Sequence, residues 1–483
     1  MTTATDYLIK GCGLMGLGFA DTLERETQAH ITLVDERAAP GGHWNEAYPF
    51  VTLHQPAPLY GLASSPLGDE VIDPQGCNAG LMRLPSGWEV AVHFRRVLQE
   101  RLLPTGRVRY LPLHRLADDG EVVSLLSGQR ERIVPTKAVV DATSLQPAIP
   151  LHHERSFAVE GGAACVPPQA LPDMAPGFRH FIVIGGGKTG LDCVSWLLDQ
   201  GAAPVSVWWV VPRDAWWSNR RAVQTSATHR AGTLHMMRRA AEVMAGASSV
   251  QDFCEGLERD AGTLLRLSGD VWPTMYHAAT VTEDELARAR GIGRIVREGH
   301  VRAVEPCGLS LQGGTVRVPD QTLFIDCTSR ALSRGMESAG PVFGDRHSGP
   351  DLRSHAPALI RLQCLRFPML SLSAALTAAI EARVDDVQTR DSMTQVCRMV
   401  DTVGDWIDRM IIGGRNQRAW MAHEGIRDWL SRCRLDPFPA MMAQVPADGG
   451  PESADLQRLR DLGPAVQENL LKLRAGFGRS LGQ

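Results

Sequence analysis

Gly11-Cys12-Gly13-Leu14-Met15-Gly16 constrains the fold more than any other stretch of the chain. A short apolar run, Tyr7-Leu8-Ile9, leads into it, and an amphipathic stretch from Leu17 to Arg25 leaves it. Strand, glycine turn and helix in that order open a dinucleotide-binding βαβ unit. Gly11 permits the tight turn, Gly13 leaves room for a pyrophosphate, and Gly16 lets helix and strand approach closely. The helix N-terminus offers unpaired N–H groups and a partial positive charge to phosphates, and Leu14 and Met15 in its first turn belong to that contact set. A second strand, Ile31-Thr32-Leu33-Val34, ends at Asp35, where a carboxylate holds a ribose hydroxyl, with Glu36 and Arg37 beside it. A glycine-rich turn without a ligand is the competing reading. The preceding strand, the helix and the spacing to the acid weigh against it.

The same pattern recurs from Gly185, 174 residues after Gly11. Phe181-Ile182-Val183-Ile184 reads as a strand, Gly185-Gly186-Gly187-Lys188-Thr189-Gly190 as the turn, and Leu191 to Leu198 as the start of a helix. Gly185, Gly187, Lys188, Thr189 and Gly190 are therefore candidate contacts to a second nucleotide; for Lys188 an exposed turn lysine is the alternative. The next strand, Val205 to Val211, ends at Pro212-Arg213 where an acid would signal NAD. A guanidinium there pairs with the phosphate that distinguishes NADP, which predicts NADPH as the second cofactor. Arg220 and Arg221 are expected to add to that pocket. A solvated surface arginine is the alternative for Arg213.

The 483-residue chain is long enough for two or three domains with large cores. A formal net charge of −4, with Lys and Arg scattered, gives no reason to expect nucleic acid. No apolar run approaches the ~18 residues that span a bilayer, and the N-terminus carries no basic segment or apolar signal core, so the cytoplasm is expected. The ten cysteines form no C-x-x-C, which argues against a zinc ribbon and any other metal site built that way.

The residues beyond Asp35 narrow the first ligand. Gly41-Gly42-His43-Trp44 and then Tyr48-Pro49 resemble the acid, G-G-x-W and Y-P loop of the flavin-containing and Baeyer–Villiger monooxygenases. The resemblance implies FAD at the first site, with Gly42, His43 and Trp44 beside it and the loop to Gln55 beneath the flavin. It implies an α/β fold of two nested Rossmann-type dinucleotide-binding domains with β meanders and a mostly helical C-terminal region. The expected boundaries are 1–150 for the first part of the FAD domain, 165–320 for the inserted NADPH domain, 321–390 for the return to the FAD domain and 391–483 for the helical tail. The return is read from Asp326-Cys327-Thr328-Ser329, which repeats the strand ending Asp141-Ala142-Thr143-Ser144. The proline-rich stretch 145–178, from Pro147 onward, is read as an interdomain connection. Gly413-Gly414 is read as a loop within the tail, and the tail as a substrate cap or a dimerisation element.

The implied activity is hydride transfer from NADPH to FAD followed by insertion of oxygen from molecular oxygen into a small organic substrate. The cofactor carries that chemistry, so few protein groups are chemical. His43 and His54 are the candidate catalytic residues, each able to donate a hydrogen bond to the flavin or move a proton, and a histidine bonded to backbone is the alternative for each. Gln55 is a candidate contact to the flavin ring edge. The family's F-x-G-x-x-x-H-x-x-x-W/D fingerprint is not found between 145 and 178. That departure keeps a flavoprotein oxidase, dehydrogenase or NADPH-dependent reductase without oxygen insertion as the alternative. Val207-Trp208-Trp209-Val210-Val211-Pro212 has a faint likeness to a halogenase motif, but the second βαβ unit already accounts for it as a strand.

Overall fold

The computed structural model describes residues 2–145, 148–329, 340–344, 357–398, 400–447 and 449–480. Pro147, at the start of the proline-rich connection, lies outside them. Thr2–Lys10 forms the middle of a first sheet, with Ile31–Asp35 parallel on one side and Arg130–Asp141 parallel on the other. Val108–Pro112 extends it beyond Ile31–Asp35, and Ala358–Arg361 pairs in parallel with the C-terminal end of Arg130–Asp141. A meander, His114–Leu116 and Glu121–Ser124, adds antiparallel strands to the other end of Arg130–Asp141. Alternation splits the apolar side chains between two cores. Tyr7, Ile9 and Leu33 face a large one with the helices, and Leu8 and Val34 a smaller one with Val122 and Ile133.

Two helices cover the large face, Leu14–Glu26 and Leu370–Arg383. A Cβ on Gly18 would lie 3.1 Å from Ala374 Cβ, and Arg383 pairs with Glu26 at the far ends. The helices therefore run in parallel, and both N-termini open at the end of the sheet that carries the first glycine turn.

The second sheet is wholly parallel, in the order Arg294–Val296, Val207–Val210, His180–Ile184, Thr322–Asp326, Ala164–Val166. This corrects the boundary expected at 321. Thr322–Asp326 pairs with His180–Ile184 and completes the second domain; the chain regains the first sheet only at Ala358–Arg361. The repeated strand ending marks equivalent places in two homologous units. In each, the strand beside the glycine-turn strand ends in an Asp whose carboxylate accepts both the N–H and the Oγ1–H of the Thr two residues on. Ile295-Val296 likewise belongs to this parallel sheet, outside the meander of Val301–Glu305, Gly308–Leu311 and Gly314–Arg317.

A three-stranded sheet of Ala215–Asn219, Leu264–Arg266 and Met275–Val281 projects from the second domain with helices Arg230–Gly246 and Val250–Arg259. The C-terminal helices bind this projection to the first domain. Trp420, Ile426 and Trp429 enter the first domain's core, while Val403, Ile407 and Leu470 pack with Trp216 and Phe253 of the projection. Gly413 and Gly414 are not a loop. They lie inside the helix Val403–Ala422, and a Cβ on Gly414 would sit 2.6 Å from Gln467 of the last helix, Pro451–Ser480. The end of the Gln467 side chain fills the space a Cβ would take, and the helix continues through both glycines despite their poor propensity. Among the described residues no helix is long and apolar enough to cross a membrane.

Candidate functional site

The first glycine turn is built as its sequence requires. Gly11 has φ +98°, its N–H bonds to Val34 O at 2.8 Å, and a Cβ on Gly16 would fall 1.9 Å from Gly11 O. Gly13 caps the helix Leu14–Glu26 with no side-chain bond, so the first-turn N–H groups are left for an acceptor from outside the helix, as an anion would supply. Gly41 N–H donates to Cys12 O at 2.9 Å, which brings the Gly41-Gly42 turn against Gly13. A Cβ on Gly13 would meet Gly42 Cα at 3.3 Å, so this glycine serves a backbone-to-backbone approach as well as a ligand.

Asp35 ends its strand 5% exposed, its two oxygens accepting Cys12 N–H at 2.5 Å and Arg37 N–H at 2.7 Å. A carboxylate with two lone pairs per oxygen keeps acceptor capacity for a ribose hydroxyl. Arg37 holds Glu46 through Nε and Nη2, Glu36 is exposed, and Trp44 Nε1 donates to the Tyr60 hydroxyl at 2.7 Å. Burial, and then Arg37, push His43 down to a pKa of about 4, so its ring is neutral at physiological pH.

The second turn repeats the first. Gly185 has φ +123°, and a Cβ there would meet Cys327 O at 2.5 Å, in the strand ending Asp326-Cys327-Thr328. Trp209 Nε1 donates to Gly185 O at 2.8 Å, which gives the tryptophan of the would-be halogenase motif a structural task. Gly187 caps the helix Lys188–Asp199, and a Cβ added to it would meet nothing within 4 Å. Among the described residues, none therefore stands directly in front of this helix N-terminus. Arg213 is exposed, and its carbonyl lies 3.5 Å from where a Cβ on Gly186 would be. The acid next in the chain, Asp214, is held by Arg297 through two bonds of 2.7 and 3.0 Å, so its charge is matched and does not repel a phosphate.

Arg220 is not in that pocket. It is 1% exposed, and its guanidinium donates to His54 O, Asn78 Oδ1 and Thr280 O at 3.0 Å and to Glu285 Oε1 at 3.1 Å. It ties the first-domain loop 48–55 to the second domain. His54 is bound into the same knot, its Nδ1 accepting Thr280 N–H at 3.2 Å. The remaining ring proton is then on Nε2, and burial, with Lys188 and Arg220 next, lowers its pKa to about 3. Neither candidate histidine is a cationic acid at neutral pH. Each can still donate a neutral N–H.

Lys188 pairs with Asp192 and approaches Glu285 at 3.7 Å, while Tyr48 donates to the other oxygen of Asp192 at 2.8 Å. Phe50 stacks on Trp196 with ring centroids 5.2 Å apart. Glu285 stays below the usual carboxylate range; burial raises it, and Lys188 and Arg220 together outweigh burial. Gln55 donates to Leu59 O at 3.3 Å, and Thr189 is half-buried in the first turn of its helix. Tyr48 was read only as part of the Y-P loop, and Phe50, Asp192 and Glu285 were not singled out from the sequence. Of these last three, Glu285 had a local signal, the Thr282-x-x-Glu285 spacing of a capping box, which the structure forms.

No protein-family model matches the chain. The uncharacterized proteins Rv2000 and MT2056 of Mycobacterium tuberculosis and Mb2023 of Mycobacterium bovis are each 37% identical to it over 435 residues, 90% of this chain and 78% of theirs. The FAD-dependent monooxygenase rstn6 of Aspergillus nomiae is 29% identical over 225 residues, 43% of this chain and 37% of that protein. An open crystal structure of cyclohexanone monooxygenase superposes with a TM-score of 0.50 at 12% identity, covering 79% of this chain and 87% of that one. The fold is that of the flavin monooxygenases. By sequence, the chain belongs to the family of the three mycobacterial proteins.

Proposed function

We propose that the protein is an FAD-dependent, NADPH-using oxidoreductase, a single-component monooxygenase that inserts oxygen into a small organic substrate. The observation that carries this reading is the pair of strand, glycine-turn and helix units, one nested in the other and locked together by the loop 48–55. Both helix N-termini lack side-chain caps and suit a pyrophosphate. FAD fits the first, where Asp35 takes the ribose; NADPH fits the second, where Arg213 takes the extra phosphate. The partial match to an FAD-dependent monooxygenase supports the same assignment. When bound, the two cofactors supply hydride transfer and the electrons that reduce oxygen.

The chain's own work is positional. The Gly41-Gly42 turn closes over the first glycine turn, and Trp44 is fixed by Tyr60. Neutral His54 keeps an Nε2–H available as a donor. The Tyr48, Asp192, Lys188, Glu285, Arg220 and His54 network holds one nucleotide domain against the other, so hydride donor and acceptor meet in one geometry. The test is direct. Purified protein should carry bound FAD, NADPH should bleach its absorbance, and substrate should couple NADPH use to oxygen uptake with incorporation of labelled oxygen. Hydrogen peroxide with no labelled product would assign the alternative, an oxidase or dehydrogenase without insertion.

A further inference from the structure

Arg409, on the helix Val403–Ala422, is 4% exposed, and among the described residues none of its three guanidinium nitrogens has a hydrogen-bond partner. Two other arginines drawn into the interior are satisfied. Arg220 has four acceptors, and Arg434 donates to the carbonyls of Tyr60 and Leu62. Arg409 instead lies over the ring of Phe367, 4.2 Å from its centroid. A cation–π contact offsets only part of the cost of burying a charge, and arginine does not escape that cost by losing its proton. Five N–H donors are thus held without a protein acceptor at one point.

That point is well placed. Phe367 just precedes the helix Leu370–Arg383, whose N-terminus opens at the same end of the first domain as the glycine turn. Asn416, two turns along from Arg409, donates to Leu365 O at 2.9 Å and to Gln395 O at 2.7 Å, which fixes the segment against the helix. The guanidinium lies among Phe367, Tyr276, Cys364 and Cys397, with Asp405 one turn back on its own helix. Tyr276 stacks on Trp406 with centroids 4.2 Å apart, and Trp216 is its cross-strand partner, with a buried Nε1–H that also has no acceptor.

We propose that Arg409 anchors the substrate, and that the substrate is an organic carboxylate with an apolar body. Two parallel N–H···O bonds take the carboxylate, and Phe367, Tyr276 and Trp406 flank the apolar part. This rests on the monooxygenase reading for what then happens to the ligand, but the binding stands on Arg409 alone.

Calorimetric titration with 3-phenylpropanoate and octanoate, each against its neutral amide, tests it. The wild-type protein should bind at least one carboxylate about ten- to a hundredfold tighter than its amide, the span expected for hydrogen bonds to a charged group. Arg409→Met should abolish that difference and, without ligand, melt at a higher temperature than wild type, because a buried charge with no hydrogen-bond acceptor has been removed. Arg409→Lys should keep a reduced preference for the carboxylate. Equal binding of acid and amide by the wild type overturns the proposal. So does an Arg409→Met protein that melts lower or fails to fold, since Arg409 is then structural. Cys397 is buried near the guanidinium, and a thiolate absorbance at neutral pH that both Arg409→Met and Cys397→Ser remove would also overturn the proposal, by making that cysteine the anion. Flavin content measured on the same samples separates this result from the cofactor assignment.

Discussion

Thr280, in the second domain, donates its backbone N–H to Nδ1 of His54, in the first, at 3.2 Å. The bond requires an unprotonated Nδ1, so protonating His54 breaks the junction as well as burying a charge. The folded-state pKa of about 3 lies below the ordinary 6.5, so the contribution of His54 is fully present above pH 6.5 and is lost as pH falls toward 3. His43, at about 4, acts in the same direction. At pH 5 each histidine costs about 2 kcal/mol, from 1.36 kcal/mol per unit. Glu285, lowered in the fold, gives up its contribution only below the usual carboxylate range, outside this window. The melting temperature should fall between pH 7 and pH 5. His54→Asn, which keeps an acceptor in place of Nδ1, should flatten that fall by about half; a profile unchanged by the substitution contradicts the assignment.

Arg220→Ala should be among the most damaging single changes. It leaves Glu285 buried with one fewer cation and strips three oxygens of a donor, in the range of about 3–5 kcal/mol measured when a buried pair loses one member. Arg213→Ala, on an exposed side chain, should leave stability within about 0.5 kcal/mol. Denaturant unfolding of both proteins checks the contrast, and equal stability would mean that the knot around Arg220 is not made.

The two glycine turns were legible because every residue they need lies within a few positions of its neighbours. Arg220 was misplaced because its acceptors come from residues 54, 78, 280 and 285, and no local pattern announces such a meeting. Asp326 was put in the wrong sheet for a related reason. A repeated strand ending shows that two units are alike, and only hydrogen-bonded pairing shows which unit owns each strand. Gly413-Gly414 looked like a loop by propensity, and the approach of Gln467, 53 positions beyond Gly414, decides otherwise. Arg409 carried no signal, being one arginine in a helix with charge at many positions.

Arg213 remains the group expected to set NADPH preference, now with fewer helpers. Arg220 is committed elsewhere, and Arg221, exposed, is the nearby arginine able to share the phosphate. Arg213→Ala should raise the KM for NADPH about ten- to a hundredfold and leave that for NADH nearly unchanged, with Arg213→Ala/Arg221→Ala at the upper end. Stopped-flow reduction of the flavin reads this without the substrate. Equal use of both nucleotides by the wild type would remove the basis for the preference.

The capping glycines allow the two sites to be separated. Valine at position 13 places its Cβ 3.3 Å from Gly42 Cα, with two further methyl groups beyond it, so the Gly41-Gly42 turn must give way where the first pyrophosphate is expected. Valine at position 187 meets no neighbour among the described residues, and φ −91°, ψ −174° there is extended backbone that a β-branched residue adopts easily. Its methyl groups project only into the space before the second helix N-terminus. Gly13→Val should therefore purify without flavin. Gly187→Val should fold normally, keep its FAD, and lose reduction by NADPH while dithionite still bleaches it. If Gly187→Val is reduced by NADPH at the wild-type rate, the second turn does not hold the nucleotide.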